Sequence, residues 1–384
     1  MVKKQKNEAS GRSKPQDISS NKIPHKKLKI AQIAPLWISI PPQKYGGIER
    51  IIAMLCDGLT EKGHEVTLFA SPGSTAKAKK LVTVFEKPLL DVNCPWSNPI
   101  WNLRNLSFAF EAANNNQFDI IHAHLDLWTL FFHNLTKTPV LHTMHNPLYR
   151  TNADAAKDDR LRLFTEEAHR TNIAFISHSA MKEAMIDFPS NRATVVYNGS
   201  DLSHFDFNLK GGDHFIWIAR MNKHKGVENA IAASEKIGAN LLLAGRIDPT
   251  QKEYFEKCIK PHLNDKIQYV GELTEDQLSD FYGPAKAMLY PIEWEEPFGL
   301  VVTEAMACGT PVIAYRRGSM PELIEDGKTG FVIDSDIDVL AEAMKKVDQI
   351  DRAYVRKRVE ERFSKEIMVE NYEKLYYKIL EKNK

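Results

Sequence analysis

The sequence has no long hydrophobic run, little net charge and few cysteines. No apolar stretch approaches the length of about 20 residues that a membrane-spanning helix needs, so any membrane contact is expected to be peripheral. The 51 lysine and arginine residues nearly balance the 50 acidic residues, and the net charge of +1 gives no reason to expect nucleic-acid binding. The cysteines lack the spacing of a metal site or a close disulfide, which fits a reduced cytoplasm; they are Cys56, Cys94, Cys258 and Cys308.

The remaining composition is that of a soluble globular protein, with 43% hydrophobic and 26% charged residues. A chain of 384 residues is long enough for two domains of ordinary size. Residues 1–28 differ in composition from the rest of the chain, because they contain eight lysines and arginines but only two acidic residues. We expect a disordered basic tail rather than a signal peptide, since no apolar segment follows it. Such a tail is either a passive solvated segment or a weak contact for anionic lipid head groups.

The first folded segment has the pattern of a Rossmann-like unit. Residues 29–34 and 65–70 predict parallel strands, and between them a helix begins after Gly46 and Gly47 and ends at Gly63. The loop is not Gly-x-Gly-x-x-Gly, which disfavours a nicotinamide-dependent enzyme. A glycine pair before a helix either lets the backbone come close to a phosphate or sugar, or forms a tight turn.

Histidines mark two further predicted strands. His122 and His124 share one face of the strand at residues 118–124, so a metal site has to be considered, although no third ligand accompanies them. The strand at residues 139–146 carries His145 at its carboxyl end, where open α/β sheets place ligands. A histidine in that position is either a ligand contact or a packing residue.

Aromatic residues are concentrated in two segments near these strands. Residues 95–101 predict a loop with Trp96 and Trp101, which would stack on an acceptor or pack at a domain edge. An apolar helix that contains Trp128 and Phe131 is predicted directly after His124.

A second α/β unit follows a candidate linker at residues 207–213. Its first strand, at residues 214–219, leads into a loop with Arg220 and Lys225 and then into a helix. Two fixed cations there would neutralise a diphosphate and stabilise a leaving nucleotide as charge develops; the alternative is ordinary surface charge. Further on, an Asp-x-Asp pattern that ends at Asp336 precedes a helix, so we interpret it as a helix cap and not as a metal site.

Residues 293–314 are the most informative stretch of the sequence. A loop rich in carboxylates leads into a helix that begins near Gly299 or Leu300, and a buried strand follows. The first N–H groups of such a helix lack intrahelical partners, and together with the helix dipole they attract phosphate. Glu296 and Glu304 would repel a phosphate, but they are suited to accept hydrogen bonds from the hydroxyls of a sugar and a ribose. The stretch therefore predicts a nucleotide-sugar site.

The run Glu-Pro-Phe-Gly-Leu-x-x-x-Glu-Ala-Met-Ala-Cys-Gly-Thr-Pro-Val-Ile-Ala at residues 296–314 resembles the signature of the family 4 retaining glycosyltransferases, which have the GT-B fold. Three other segments are similar to family motifs: Asp-x-x-His-x-His at residues 119–124, the strand-end His145, and the Arg…Lys-Gly loop at residues 220–226. Pro-Pro-Gln-Lys-Tyr-Gly-Gly at residues 41–47 resembles the donor-facing loop of a bacterial subgroup of the family.

The resemblance covers residues 29–384 and departs from the family where Gly245-Arg-Ile-Asp-Pro stands in place of Gly-x-Gly-Pro. It implies an α/β protein of the GT-B class, with two Rossmann-like domains facing across a cleft. The acceptor-side domain is expected at residues 29–206 and the nucleotide-sugar-binding domain at residues 207–366. A terminal helix at residues 367–384 is expected to pack back on the first domain.

The resemblance also implies roles for individual residues. The catalytic set comprises His145 and Glu296, which bond the donor sugar, and Arg220 and Lys225, which bind the diphosphate. Within the donor site, the resemblance implies that Glu304 binds the ribose and that the loop with Glu272 and Leu273 binds the nucleobase. It also implies that the glycine pair of the first domain comes close to the phosphate. These donor-binding residues are Gly46, Gly47, Glu272, Leu273, Phe298, Gly299, Leu300 and Glu304.

The implied activity is transfer of a sugar, with retained anomeric configuration, from a donor such as UDP-glucose or GDP-mannose. The acceptor is expected to be a glycan, a lipid-linked molecule or a small molecule. Beyond the nucleotide-sugar co-substrate, no cofactor and no metal ion are expected, because the two cations would replace a metal. The expected location is the cytoplasm, with at most weak contact at the inner membrane face. Two alternatives remain open: a nucleotide-sugar epimerase of the same architecture, and a catalytically silent nucleotide-sugar-binding protein.

Overall fold

Two parallel sheets with flanking helices make up the fold in the computed structural model. The structure describes residues 26–44, 46–95, 98–147, 159–184 and 191–382. Trp96 and most of the predicted basic tail lie outside the described residues. The alternation of strands and helices confirms the predicted α/β class. Within the described residues, no helix combines the length and the apolar character that crossing a membrane requires.

The first sheet has seven parallel strands in the order β3-β2-β1-β4-β5-β6-β7. Most of its central residues are buried, because helices cover both faces of a parallel sheet. Its strands are β1 (Lys29–Ile33), β2 (Glu65–Phe69), β3 (Lys80–Val82), β4 (Ile120–Ala123), β5 (Val140–Met144), β6 (Asn172–Phe175) and β7 (Ala193–Val195). The described helices of this half are α1 (Gly47–Glu61), α2 (Ile100–Asn114), α3 (Asp159–Ala168) and α4 (His178–Glu183).

The second sheet has six parallel strands in the order β10-β9-β8-β11-β12-β13. Its strands are β8 (Phe215–Ile218), β9 (Leu241–Ala244), β10 (Ile267–Gly271), β11 (Ala287–Tyr290), β12 (Val312–Tyr315) and β13 (Gly330–Ile333). The helices are α5 (Val227–Ile237), α6 (Lys252–Tyr254), α7 (Glu275–Tyr282), α8 (Leu300–Ala307), α9 (Met320–Leu323), α10 (Ile337–Lys346) and α11 (Arg352–Arg362). Since α8 begins at Leu300, the predicted start of the central helix is confirmed.

The last helix, α12 (Lys365–Lys382), returns from the second half of the chain onto the first. Val369, Tyr372 and Tyr376 belong to the same hydrophobic core as α1 and the strands of the first sheet. Gly58 allows α1 and α12 to approach closely, because a Cβ built on it would lie 2.6 Å from Val369 Cγ2. The C-terminal helix therefore contributes side chains to the interior of the first half.

The two halves also meet at the carboxyl ends of their strands. Ser177 Oγ, at the end of β6, donates a hydrogen bond of 2.6 Å to the carbonyl oxygen of Pro297. The Glu322 carboxylate accepts hydrogen bonds from the backbone N–H groups of His178 and Ser179, at 2.9 and 2.7 Å. The loops after strands of both sheets are therefore in direct contact.

Two predicted elements of the first half differ in the structure. The predicted tryptophan loop ends early, because α2 begins one residue before Trp101, whose ring lies 4.3 Å from the Phe85 ring between centroids. Trp101 therefore packs within the first half. The predicted apolar helix after His124 is wrong: the segment forms two 3₁₀ turns, Asp126–Phe131 and His133–Leu135. Asp126 has a φ of 46°, in the left-handed region, which is incompatible with an α-helical start at that residue.

Candidate active site

Two helix N-termini, one from each half, meet between the sheets. α1 begins at Gly47 and α8 at Leu300, and no side chain of a described residue caps either end. The two ends are neighbours, since a Cβ built on Gly47 would lie 3.4 Å from Leu300 Cδ1. Gly299 has a φ of 90°, a left-handed conformation that glycine adopts without strain and that turns the chain into α8. Uncapped N–H groups at two helix ends favour binding of an anion here.

The buried carboxylate of Glu296 is the centre of a cluster of donors. Its Oε2 accepts hydrogen bonds from Lys225 Nζ at 2.5 Å, Tyr290 Oη at 2.9 Å and Trp294 Nε1 at 3.1 Å. The Lys225 ammonium also lies 4.5 Å from the centroid of the Trp294 ring, a cation–π contact. All three hydrogen bonds from the described residues reach the same oxygen, so Oε1 keeps its capacity to accept from a hydroxyl.

The loop after β12 holds Glu296 in place. Ser319 N donates to the carbonyl oxygen of Glu296 at 3.0 Å, and Ser319 Oγ donates to the carbonyl oxygen of Phe298 at 2.5 Å. Gly318 has a φ of 53°, and a Cβ on it would lie 2.2 Å from the carbonyl oxygen of Glu296. The position therefore requires glycine, both for its backbone conformation and for the close approach of the two loops.

Replacing Gly318 with alanine is expected to displace the Glu296 loop, since the added methyl group would overlap its backbone. We expect kcat/KM for the donor to fall about tenfold, because small displacements of a positioning group are costly in catalysis. The matched control is Gly327→Ala: Gly327 also has a positive φ, of 74°, but a Cβ there has nothing within 4 Å. The control loses about 1–2 kcal/mol of stability through backbone strain and keeps its activity. Equal activities of the two variants would contradict the assigned role of Gly318.

Lys225 is held by the backbone of its own loop. It ends a 3₁₀ turn after β8, and its carbonyl oxygen accepts a hydrogen bond of 3.1 Å from Trp217 Nε1. Gly226 follows with a φ of 71°, and a Cβ on it would lie 1.8 Å from the carbonyl oxygen of Pro291. The close contact between these loops brings Lys225 to Glu296, 71 residues further along the chain.

Arg220 lies at the carboxyl end of the same strand, but it is not part of the Lys225–Glu296 ion pair. Its side chain is exposed beside Asp248. Hydrogen bonds from Thr250 lower the pKa of Asp248, and the charges of Arg220 and Arg246 lower it further. Of the two predicted diphosphate ligands, the structure therefore brings Lys225 to Glu296 and leaves Arg220 exposed beside Asp248.

Glu304 is buried in α8, and both of its carboxylate oxygens have partners. Oε1 accepts a hydrogen bond of 3.1 Å from Arg50 Nη1, and Oε2 accepts one of 2.9 Å from Tyr282 Oη. Arg50 belongs to α1, so this ion pair joins the two halves about one helical turn from both helix N-termini. A carboxylate oxygen accepts more than one hydrogen bond, so both oxygens keep the capacity to accept from a ligand hydroxyl.

His145 directly follows the carboxyl end of β5, in the predicted position. Its backbone N–H donates to Asp126 Oδ1 at 3.2 Å, and Asn146 Nδ2 donates to Asp126 Oδ2 at 2.8 Å. The left-handed conformation of Asp126 is of the kind that accumulates at functional sites. The ring nitrogen Nε2 of His145 lies 2.9 Å from His124 Nδ1. Burial lowers the pKa of His145 to about 3, so the ring is neutral at physiological pH.

His122 and His124 are engaged in hydrogen bonds within the core. Each of their four ring nitrogens has a partner in the first sheet, in the loop that follows β5, or on α12. Across the described ranges, no group of three histidine, cysteine, aspartate or glutamate side chains is arranged to hold a metal ion. The cap at Asp336 is confirmed, because its side chain accepts hydrogen bonds from the first backbone N–H groups of α10.

The remaining predicted donor-binding residues differ in accessibility. Glu272 and Leu273 lie half-buried between β10 and α7, at the carboxyl end of an edge strand. Phe298 is buried, with its ring 6.4 Å from that of Tyr197 and 6.2 Å from that of Phe363 between centroids. Its side chain therefore belongs to the core, and only its backbone is available to a donor.

Four residues of the site were not predicted from the sequence. Tyr290 and Trp294 precede Glu296 closely, and an aromatic pair beside a buried carboxylate was a signal that could have been used. Arg50 lies one turn into the helix that follows the glycine pair, where a cation suits a phosphate site. Asp126 gave no signal, since its role depends on a backbone conformation that the sequence does not specify.

Two family models match the chain, one over each half. Glycosyltransferase Family 4 matches residues 45–204, and Glycosyl transferases group 1 matches residues 201–362, so together they span most of the chain. The chain belongs to the family 4 glycosyltransferases. Its reaction is accordingly transfer of a sugar from a nucleotide-sugar donor.

Similar proteins match the chain over nearly its full length. N-acetyl-α-D-glucosaminyl L-malate synthase of Bacillus anthracis is 26% identical over 360 residues, which cover 85% of this chain and 92% of that protein. Sucrose-phosphate synthase from Thermosynechococcus elongatus has a TM-score of 0.76 at 22% identity, covering 93% of this chain and 100% of the other. HepE of Anabaena, solved with UDP and glucose, has a TM-score of 0.70 at 17% identity, covering 91% and 99%. These similarities confirm the predicted GT-B fold.

Proposed function

We propose that this glycosyltransferase takes a hexose from a UDP-hexose donor with retained configuration, and that Lys225 and two helix N-termini do the work of a metal ion. The observation that carries the proposal is the Lys225–Glu296 ion pair, because Glu296 precedes the uncapped end of α8 by only a few residues. UDP is the favoured nucleotide because the similar HepE structure contains UDP and glucose. The Pro-Pro-Gln-Lys-Tyr-Gly-Gly segment at residues 41–47 supports membership of the bacterial subgroup that has this loop.

The diphosphate is placed between the two helix ends. The backbone N–H groups that begin α1 and α8 would donate to its oxygens, and Gly47 allows close approach from the first half. Lys225 uses one ammonium N–H on Glu296 and has two more for phosphate oxygens. Arg220, which is exposed at the end of β8, would supply a second cation to the diphosphate.

The hexose is placed between the two sheets, beside the diphosphate. Oε1 of Glu296 would accept a hydrogen bond from one sugar hydroxyl. His145, at the carboxyl end of β5 in the first half, would bond a second hydroxyl. Since Lys225 contacts Glu296 and would also contact the phosphate, this ion pair would hold both the sugar and the leaving group.

The reaction itself needs little side-chain chemistry. The bond from the anomeric carbon to the diphosphate breaks with its electron pair leaving on the phosphate oxygen. The acceptor hydroxyl attacks the anomeric carbon from the same face, and its proton passes to that oxygen, which gives the glycoside and UDP. Lys225 and the helix N-termini stabilise the charge that develops on the diphosphate. Contact between the two halves excludes water and so limits donor hydrolysis.

The nucleoside is placed along α8 and the loop after β10. Glu304 would accept from the ribose hydroxyls, and Glu272 and Leu273 would contact the base through their backbone. Because these contacts are the same in the ground state and in the transition state, Glu304→Gln is expected to raise KM for the donor about tenfold with kcat nearly unchanged. Tyr282→Phe, which removes only one partner of Glu304, serves as the control and is expected to have a smaller effect. A Glu304→Gln variant with unchanged KM would contradict the ribose assignment.

A donor screen separates transfer from its alternatives. The protein is incubated with labelled UDP-, GDP- and ADP-sugars, with and without a panel of glycan, lipid-linked and small-molecule acceptors. Nucleotide release that depends on an acceptor and on a UDP-hexose supports the proposal. Release of an altered free sugar without an acceptor indicates an epimerase, and tight binding without turnover indicates a binding protein. Preference for a GDP-sugar would contradict the assigned nucleotide.

Removing divalent metal ions tests the metal-independent part of the proposal. Because Lys225 and two helix N-termini supply positive charge at the diphosphate, an excess of EDTA is expected to leave the transfer rate unchanged. The measurement is nucleotide release with and without the chelator. The assignment would be wrong if activity were lost with EDTA and restored by Mg²⁺ or Mn²⁺.

A further inference from the structure

A chain of buried hydrogen bonds connects the C-terminal helix to His145. Tyr376 Oη, on α12, lies 3.0 Å from Gln32 Nε2 and 2.7 Å from His122 Nδ1. Gln32 Oε1 lies 2.9 Å from His124 Nε2, and His124 Nδ1 lies 2.9 Å from His145 Nε2. The chain therefore runs from a helix of the C-terminal end, through the interior of the first sheet, to the edge of the proposed sugar site.

The direction of donation along the chain follows from the amide of Gln32. Its nitrogen only donates, so the Tyr376 oxygen accepts a hydrogen bond from it. The Tyr376 hydroxyl in turn donates a hydrogen bond to His122 Nδ1. Its oxygen only accepts, so His124 carries its proton on Nε2. A neutral His124 then has a lone pair on Nδ1, and His145 must donate to that lone pair from Nε2.

All three histidines are neutral, which this pattern of donation requires. Burial lowers the pKa of His122 and of His124 well below the usual range, and it lowers the pKa of His145 to about 3. A neutral His145 with its proton on Nε2 has a lone pair on Nδ1. That nitrogen has no hydrogen-bond partner within the described part of the chain. Unlike the ring nitrogens of His142, it is not fully buried. It is thus open to a ligand.

The arrangement is specific to one face of the sheet. His142, on β5, is buried as well, but neither of its ring nitrogens has a hydrogen-bond partner among the described residues. Burial in this sheet is therefore not sufficient to connect a histidine to α12 by hydrogen bonds. Tyr372, one turn before Tyr376 on α12, bonds Thr143 at 3.1 Å, and Thr143 bonds His122 at the end of the hydrogen-bond chain away from His145. Tyr372 makes no hydrogen bond to Gln32 or His124.

We propose that Gln32 and Tyr376 are positioning residues that fix His145 in the tautomer protonated at Nε2, so that its Nδ1 meets the donor sugar as a hydrogen-bond acceptor. The part that concerns the sugar rests on the proposed function, whereas the tautomer is a property of the free protein. The consequence is a requirement on the donor: the group that faces His145 has to be a hydroxyl that donates its proton. A site built to bond a hydroxyl discriminates strongly against analogues that lack it.

The first test is the ¹⁵N NMR spectrum of the substrate-free protein with labelled histidine. His145, assigned through a His145→Gln variant, is expected to show a protonated Nε2 and an unprotonated Nδ1. In Tyr376→Phe the Gln32 amide loses its acceptor, and we expect the His145 signals to move towards a mixture of tautomers. In the control Tyr372→Phe, which removes an equally buried hydroxyl from the same helix, the His145 signals are expected to stay in place.

Activity provides the second readout. Tyr376→Phe is expected to lower kcat/KM for the donor about tenfold, the scale of losses on removing groups that orient a site residue, while Tyr372→Phe stays close to the unsubstituted protein. Both variants lose one buried hydroxyl, so similar melting temperatures would exclude a general loss of packing as the cause.

The two proposals fail in different ways. A substrate-free His145 with its proton on Nδ1 overturns the inference, and no variant is needed to obtain that result. Unchanged tautomer and unchanged kcat/KM in Tyr376→Phe overturn it as well. A protein that shows the expected tautomer and no acceptor-dependent turnover would contradict the proposed function and support the tautomer assignment.

Discussion

Replacing Lys225 with methionine is expected to lower kcat about 10³-fold, the largest effect among the site variants. The ammonium is the cation that contacts Glu296, and in the proposed site its removal leaves only Arg220 as a side-chain counter-charge for the diphosphate. It also leaves the Glu296 carboxylate unpaired next to the phosphate position, so the affinity for UDP is expected to fall too. The measurements are kcat at saturating donor and the Kd for UDP by calorimetry.

The same loop provides the control for Lys225. Lys223 begins the 3₁₀ turn that Lys225 ends, and its side chain is exposed. Lys223→Met removes the same charge from the loop and is expected to leave kcat and the Kd for UDP nearly unchanged. If the two methionine variants were equally impaired, the effect would come from the charge of the loop as a whole, and the specific role of Lys225 would be wrong.

Replacing Glu296 with glutamine is expected to lower kcat/KM for the donor about 10²-fold. A hydrogen bond from a sugar hydroxyl to a carboxylate contributes about 1.5–3 kcal/mol, and the amide also disturbs the donors from Tyr290 and Trp294. Because the proposed contact of this carboxylate is with the hexose and not with the nucleotide, the affinity for UDP itself is not expected to fall. Measuring kcat/KM with a UDP-hexose and Kd with UDP separates the two contributions.

Glu293→Gln is the matched control, since Glu293 lies in the same acidic loop and is exposed, and its carboxylate accepts a hydrogen bond from Asn229 and not from Lys225. It is expected to retain full activity. The double variant Lys225→Met with Glu296→Gln adds a test of the ion pair: the two losses are expected not to add, because the partners are in direct contact. Additive losses would show that the pair does not act as a unit.

The sequence predicted those parts of the site that depend on local pattern. His145 and Arg220 were placed at strand ends because polar residues that follow an apolar run lie at the carboxyl edge of a parallel sheet. The start of α8 at Leu300 followed from a glycine after a proline-containing loop. The stretch around Glu296 was recognisable because its residues are consecutive in the chain.

The contacts between distant segments were not predictable. Arg50 and Glu304 are 254 residues apart, and only the relative placement of α1 and α8 brings them together. Gln32 and Tyr376 are 344 residues apart, so their hydrogen bond depends on the return of α12 to the first half. The helix predicted after His124 failed for another reason: apolar spacing favours a helix, but the left-handed backbone of Asp126 prevents an α-helical start.

A crystal structure of the protein with an unhydrolysed UDP-hexose tests the central claim most directly. The expected result is a diphosphate between the first turns of α1 and α8, with its oxygens about 3 Å from Lys225 Nζ and from backbone nitrogens of both helices. A hexose hydroxyl is expected at the same distance from Glu296 Oε1. A diphosphate bound away from both helix ends, or a hexose turned away from Glu296, would contradict the account.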